Sequence, residues 1–424
     1  MMENIFETEL REQRIFKNLD VLSPHYVPTE LPHREKEIRE VTRIIAPVLR
    51  NQKPTNLFIY GKTGTGKTCV VRYVTKKLIE FVEDPEKNTG NVSVKVVYLN
   101  CKILNSTYQV MLKLLESDSL NDTNLKDRPL EGRHDGQLKG MDPVDLYDRL
   151  FKVVTTNGMN LVLILDEIDM IKKNLNDLLY ALTRINDELS SGKVSIIGMS
   201  NDMKLKKRLD PRCLSTLCEE EKVFPPYDAV QLKTILNQRV IDGFYSEAID
   251  GGTVARIAAF AAQDGDARYA LRLLKKSADM AERSGGDKVT PEFVEHAKRA
   301  VEEDIMKEGI TTLPEHQQIV IYTIAALASQ GGMYRRLNGM NNGDLTSGEV
   351  YEAYETNCKA LNRTPRTIRQ FSQYVNELEM LGFITTMTSG KGMRGNTRFI
   401  RLGYSPEEIK SVVKRCLGVD SQDT

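Results

Sequence analysis

Apolar and polar positions alternate in two regimes along this chain. Up to about residue 225, short apolar runs that end in glycine or in polar groups are separated by segments of helical spacing. Leu57-Phe58-Ile59-Tyr60 runs into Gly61, and Lys67 to Phe81 then places Val70, Val71, Val74, Leu78 and Phe81 at helical intervals, which predicts a strand, a loop and a helix. Val92 to Leu99 alternates and then turns apolar, as a half-buried to buried strand does. Leu161 to Leu165 stops at Asp166-Glu167, and Val194 to Met199 stops at Ser200-Asn201. Continuous apolar runs of this length predict central strands of a parallel sheet covered on both faces, with polar groups at the carboxyl ends where such sheets bind ligands. The first half is therefore expected to be an α/β layer structure with right-handed crossovers.

Pro225-Pro226 breaks the pattern, and from Asp228 to Glu308 the spacing is helical throughout. After Thr311-Thr312-Leu313-Pro314 come a helix to about Ser329, a Gly/Asn-rich loop, two more helices, and a strand, Gly-rich turn and strand over Phe383 to Leu402. That is the order of a winged helix. The expected organisation is an α/β P-loop domain with an N-terminal extension over 1–225, an all-α lid over 226–310, a winged-helix domain over 311–405 and a tail over 406–424.

Composition narrows the function class. The 424 residues contain 59 basic and 59 acidic side chains, so any surface for a polyanion must be local. No stretch reaches the roughly 18 apolar residues needed to span a membrane, and the N-terminus does not resemble a signal peptide, so a cytoplasmic, nucleoid-associated protein with no membrane partner is expected. Six cysteines without a Cys-x-x-Cys pair or a histidine at ligand spacing are read as reduced packing thiols.

Gly61-Lys62-Thr63-Gly64-Thr65-Gly66-Lys67-Thr68 carries the chemistry. Glycines at Gly61, Gly64 and Gly66 let backbone N–H groups turn inward around phosphate oxygens, Thr65 joins the cradle, and the following helix adds its positive end. Lys67 supplies a cation for the β- and γ-phosphates, and the Thr68 hydroxyl can bind a bridging Mg²⁺. ATP or ADP is therefore the expected ligand. Asp166 is placed to hold the metal through water, and Glu167 to orient or deprotonate an attacking water. Asn201 ends the next strand and is a candidate for the γ-phosphate or that water. Arg212 and Arg268 are candidate γ-phosphate sensors. Slow hydrolysis used as a switch is the expected activity.

Several segments, in order, resemble the archaeal origin-recognition initiators, AAA+ ATPases related to the first origin-recognition-complex subunit and to the eukaryotic helicase-loading factor. They are Tyr26-Val27-Pro28 to Leu31-Pro32-His33-Arg34-Glu35, the P-loop, Leu165 to Asp169, Met199-Ser200-Asn201, Leu209 to Arg212, Phe224 to Ala229, Gly265 to Arg268 and Ser389-Gly390-Lys391-Gly392. The resemblance implies that Asn201 is a first sensor, Arg212 a finger for a neighbour's nucleotide, and Arg268 a second sensor on the lid. It also implies that Tyr227 and Arg239 line the nucleotide and that the segment around His33 and Arg34 wraps the adenine. The wing reads Ser-Gly-Lys-Gly where relatives usually have Ser-Gly-Arg-Gly, which keeps the charge and loses a planar fork. Residues 117–143 fall where relatives carry an insertion that touches DNA, and a polar solvated loop is the alternative there.

From Arg363 to Arg401, seven basic residues stand against two acidic ones, a local charge of +5. Thr364-Pro365 predicts a helix start, with Arg366, Arg369, Gln370 and Gln373 on one face and Ile368, Phe371, Val375, Leu378 and Leu381 toward the core. Arginine and glutamine near the start of a major-groove helix can read guanine and adenine edges, and Lys391, Arg394 and Arg398 on the wing can reach phosphates. The expected function is an ATP-switched initiator that grips double-stranded origin DNA through the winged helix and the insertion. Its expected partners are the replicative helicase of the minichromosome maintenance type and further copies of itself on DNA. The alternatives are a signalling ATPase with a winged-helix interaction module and a clamp-loader-like subunit.

Overall fold

The computed structural model describes residues 15–24, 26–104, 106–131, 138–217, 219–330, 345–388 and 398–418. The chain divides after Ala297 into two compact units.

In the first unit, α1 (Glu35–Ile45) precedes β1 (Leu57–Tyr60) and α2 (Lys67–Glu83). Then come β2 (Val94–Asn100), α3 (Thr107–Leu115), α4 (Pro143–Asn157), β3 (Asn160–Asp166), α5 (Leu175–Glu188), β4 (Lys193–Ser200), α6 (Pro211–Leu217) and β5 (Glu220–Val223). The five strands form one parallel sheet in the order β2-β3-β4-β1-β5. The apolar runs predicted as central strands are central: every residue of β1 and β3 is buried. Strand alternation sends Val97, Leu99, Leu163 and Leu165 to one face against α3, α4 and α5. It sends Val94, Val162 and Ile164 to the other, against α1 and α2. The carboxyl ends of β1, β3 and β4 consequently lie side by side, and Gly61, Asp166 and Asn201 come off them.

Helices α7 (Ala229–Gly243), α8 (Gly251–Ala261) and α9 (Ala267–Arg283) pack around Leu232, Leu236, Ile257, Leu273 and Leu274. Asp228 starts α7 through a reciprocal capping box with Gln231, and Asp266 starts α9 by accepting from the N–H groups of Arg268 and Tyr269. The described part of the N-terminal extension up to Leu22 belongs to this core. Ile15, Phe16 and Leu22 are buried beside Leu236 and Phe244, and do not pack on the sheet domain to which the sequence reading assigned them.

α10 (Pro291–Thr312) is continuous across the expected boundary at 310; Val294 and Ala297 bury within the first unit, Met306 and Ile310 within the second. The second unit continues with α11 (Glu315–Gln330), β6 (Leu345–Thr346), α12 (Ser347–Ala360), α13 (Ile368–Met380), β7 (Ile384–Thr388), β8 (Arg398–Leu402) and α14 (Pro406–Leu417). A three-stranded antiparallel sheet, β6-β8-β7, backs the helices. Residues 406–417, expected in a tail, are a helix: Ile409, Val412 and Val413 repeat at its core face and are buried in the winged-helix core. No helix among the described residues is long and apolar enough to cross a membrane.

Candidate functional site

A cleft of about 440 Å³ opens at the carboxyl edge of the sheet, lined by the P-loop, Tyr98, Asp166, Glu167, Asn201, the segment 22–34 and residues of α7 and α9. Gly64 and Gly66 adopt φ of 74° and 87°, a region costly for residues with a Cβ. A Cβ at Gly66 would lie 2.6 Å from the Tyr227 hydroxyl, and one at Gly64 would collide with the Asp266 carboxylate at 1.7 Å. The positive φ values favour glycine, and the two side-chain ends close over the loop from both sides. The Ala267 N–H also donates to the Gly64 carbonyl at 3.1 Å, so the first turn of α9 rests directly on the P-loop.

Lys67, Asn201, Thr68 and Asp166, expected to meet a nucleotide and its metal, are engaged with one another or with the P-loop backbone. Lys67 Nζ donates to the carbonyls of Gly61 (2.7 Å) and Lys62 (2.9 Å) and to Asn201 Oδ1 (2.7 Å). Burial, which disfavours the ammonium, lowers its pKa to about 8, although Asp166 opposes the shift. Thr68 Oγ1 donates to Asp166 Oδ2 at 2.8 Å, and Asp166 Oδ1 accepts from the Glu167 N–H at 2.9 Å. Glu167 sits at φ 54°, and burial followed by the neighbouring Asp166 raises its pKa, as suits a group that is to take a proton. Arg268 is on the first turn of α9 and lines the cleft.

Arg239, 5% exposed, stacks on Tyr26 at 4.8 Å while its Nε and Nη1 have no partner among the described residues. Unsatisfied guanidinium donors inside a cleft fit an acceptor-rich ligand. Arg34 lines the cleft too, but its donors are occupied. Nε and Nη2 donate to the Thr65 carbonyl (3.1 and 2.9 Å), Nη2 also to the Pro225 carbonyl (2.7 Å), and the group stacks over Tyr227 at 3.9 Å. Arg34 thus ties the P-loop to the start of the helical part. His33, at φ 63°, is not among the residues lining the cleft, and Arg212 lies outside it, exposed and paired with Asp210 at 3.3 Å.

In the second unit, α13 starts at Ile368, with Thr367 as its cap in a reciprocal box with Gln370. The expected start at Thr364-Pro365 fails because Tyr351 and Tyr354 hold Arg366 in a non-helical segment: the Arg366 N–H donates to Tyr354 Oη, and its carbonyl accepts from Tyr351 Oη. Phe371, Val375 and Leu378 are buried as predicted, whereas Ile368 and Leu381 are 62% and 58% exposed at the two ends of the helix. Gln373 Nε2 donates to Glu377 Oε1 at 2.8 Å. Arg398 donates to Glu379 Oε2 (2.7 Å), Thr386 Oγ1 (2.9 Å) and Asn376 Oδ1, so it pins the wing strands to α13. Arg366 and Arg369 are exposed and have no side-chain partner among the described residues. Lys391 and Arg394 lie outside the described residues.

Model descriptions of three domain families match in succession: an AAA ATPase domain over 30–197, a Cdc6 AAA+ ATPase-type lid domain over 233–299, and a CDC6 C-terminal winged helix domain over 308–412. The ORC1-type DNA replication protein of Thermococcus kodakarensis is 42% identical over 97% of this chain and 94% of its own. That of Pyrococcus abyssi is 41% identical over 97% and 93%. The solved structure of the Aeropyrum pernix ORC1 protein in complex with DNA is 34% identical and covers 95% of this chain and 97% of its own, with a TM-score of 0.77.

The chain belongs to the archaeal ORC1/Cdc6 family of DNA replication initiators.

Family membership removes the signalling and clamp-loader alternatives. Within this initiator the structure gathers the P-loop, Asp166, Glu167, Asn201, Tyr227, Arg239, Arg34 and Arg268 around one cleft. Sequence reasoning missed Tyr98, whose hydroxyl donates to Asp166 Oδ2 at 2.6 Å; burial and that carboxylate push its phenol pKa up, so it remains a donor. It missed Asp266 as well, although that residue stands inside the quoted Gly265 to Arg268 segment. In the 117–143 insertion, Leu120 and Leu138 are buried in the sheet-domain core and Asp127 pairs with Arg149 at 2.9 Å, so the described part is packed rather than a free polar loop. Residues 117–131 hold four acidic side chains and two basic ones, with no excess of positive charge.

Proposed function

We propose that this initiator binds ATP and ADP with Mg²⁺ in the P-loop cleft, hydrolyses ATP slowly, and uses the nucleotide state to control how it meets its partners. The observation that carries this reading is the contact of the P-loop with the lid helix: the Ala267 N–H on the Gly64 carbonyl, with Arg268 one residue further on. A ligand that reshapes the P-loop has a direct path to the helix carrying Arg268. The Thr68 hydroxyl and the Asp166 carboxylate form a hard-oxygen set suited to Mg²⁺, Thr68 directly and Asp166 through water. The metal would supply charge neutralisation between the phosphates. On arrival of phosphates, Lys67 exchanges carbonyl partners for phosphate oxygens, Asn201 is freed to orient water, and Glu167 is the proton acceptor.

The winged helix is proposed to bind double-stranded origin DNA, with Arg366, just before α13, and Arg369, in its first turn, meeting the major groove and Lys391 and Arg394 the phosphates. Support comes from the two exposed arginines, which have no side-chain partner among the described residues, and from the relative solved in complex with DNA. Arg398 and Gln373 act through the fold in this reading, and the insertion contributes by shape rather than by charge. Recruiting or loading the replicative helicase, and association with further copies through Arg212, complete the proposed role. The deciding experiment selects genomic fragments bound by the purified protein. Enrichment of an intergenic locus, lost on Arg366→Ala with Arg369→Ala, is expected, and uniform recovery of the genome would defeat the origin-recognition reading.

A further inference from the structure

β2 is an edge strand whose alternation places Val94, Val96 and Tyr98 on the face covered by α2. In the parallel register Tyr98 lies opposite Ile164 and Asn100 opposite Asp166, which makes Tyr98 the diagonal same-face neighbour of Asp166. Such diagonal positions are about 7–8 Å apart, within reach of a tyrosine hydroxyl and beyond that of shorter side chains. The other side of the ring faces α2, where the Arg72 guanidinium lies 4.3 Å from its centroid. Asp166 is 6% exposed and its carboxylate accepts three hydrogen bonds: Thr68 Oγ1 (2.8 Å) and Tyr98 Oη (2.6 Å) on Oδ2, and the Glu167 N–H (2.9 Å) on Oδ1. Two of these donors are adjacent to the carboxylate by motif. Tyr98 comes from another strand and has no counterpart in the P-loop or Asp-Glu signatures.

We propose that Tyr98 is the positioning residue that holds the Asp166 carboxylate in the orientation required for the Mg²⁺–nucleotide complex, itself held in place by packing against Arg72. The proposal rests on the nucleotide reading of the cleft. A carboxylate has free rotation about its last torsion unless its oxygens are fixed. With Oδ2 accepting from two hydroxyls and Oδ1 from the Glu167 N–H, the carboxylate plane is fixed and the remaining lone pair, on Oδ1, has one direction. Losing an outer-shell partner of this kind typically lowers metal affinity by about 10- to 100-fold.

The test uses full-length protein and a fluorescent, non-hydrolysable ATP analogue, titrated in EDTA and in Mg²⁺, for wild type, Tyr98→Phe and Tyr98→Leu. Tyr98→Phe keeps the ring over Arg72 and removes only the hydroxyl. Its affinity in EDTA is expected within about twofold of wild type, whereas the gain from Mg²⁺ shrinks by about tenfold or more. The Mn²⁺ electron paramagnetic resonance signal of the nucleotide complex is expected to broaden as the carboxylate loses its fixed orientation. Tyr98→Leu, which also loses the stack, is expected to show the same loss of the metal-dependent gain and a lower melting temperature. A full Mg²⁺ gain and an unchanged Mn²⁺ spectrum in Tyr98→Phe would overturn the role of Tyr98 alone. Absence of nucleotide binding by the wild type would overturn the reading of the cleft, and this proposal with it.

Discussion

In the nucleotide cleft, Lys67 is 6% exposed and makes three hydrogen bonds, and Asp166, equally buried, accepts three. On the winged helix, Arg366 and Arg369 are exposed, with no side-chain partner among the described residues. Both regions are read as anion-binding, yet they are built differently. The cleft keeps Lys67 and Asp166 on protein partners, so a ligand must displace specific bonds in a low-dielectric site and is discriminated by geometry. The arginine pair keeps its charge in water, where attraction to phosphate is long-ranged, salt-dependent and tolerant of position. The cleft is accordingly suited to sensing one ligand's state, and the helix face to finding and holding a polymer.

The largest effect that separates the two regions is Lys67→Ala. Removing a buried cation that meets phosphates is expected to weaken ATP binding by about 100-fold or more, while nucleotide-free DNA affinity stays within about twofold. Isothermal titration with ATP and with duplex DNA reads both, and a matching loss in both would erase the contrast. A pH series sharpens it next. Lys67 sits at about 8, below its usual value, and phosphates hold its proton more tightly. As pH rises past 8 the free protein loses that proton and nucleotide affinity falls, by up to about tenfold per pH unit, whereas it is flat below 8 on this account. DNA affinity, if carried by arginines as proposed, is expected to show no step in the same window.

Smaller is the effect of each arginine. Arg366→Ala and Arg369→Ala are each expected to lower duplex affinity by about tenfold at moderate salt and to reduce the slope of log affinity against log salt by about 1. An unchanged slope would place the DNA contact elsewhere. Gln370→Ala removes one half of the capping box on α13 and is expected to cost about 0.5–1 kcal/mol in denaturant unfolding. Smallest is Gln373→Ala. Its amide is engaged by Glu377, so duplex affinity should change by less than about twofold, and a larger, base-dependent loss would restore it as a reader.

The same contrast explains what could be read without a structure. Motifs in the cleft are legible because a loop that turns its N–H groups inward constrains backbone as well as side chain: Gly64 and Gly66 sit at positive φ, and Asp166 and Asn201 stand at strand ends. Surface residues carry no such constraint. Ile368 was assigned to the core on helical periodicity counted from Thr364. The helix begins at Ile368 itself, because two tyrosine hydroxyls from α12 hold the Arg366 backbone out of helical form. Arg398 was read as a phosphate contact from its charge, and three partners on α13 and β7 give it a positioning task instead. Residues 406–417 were read as a tail because they follow the last strand, although Ile409, Val412 and Val413 repeat at helical spacing and are buried.

Patterns within single segments reveal the glycine-rich loop between strand and helix and the succession of sheet, helical and winged-helix parts. These follow from local periodicity and from residue types that admit few backbone conformations. Packing between distant segments sets which charges are held and which keep open donors among the described residues: Arg34 bridging Thr65 and Pro225, Arg239 with two open donors, Tyr98 fastened to Asp166 across two strands. Those assignments depend on register and packing between segments up to 191 residues apart, which the pattern within any one segment does not encode.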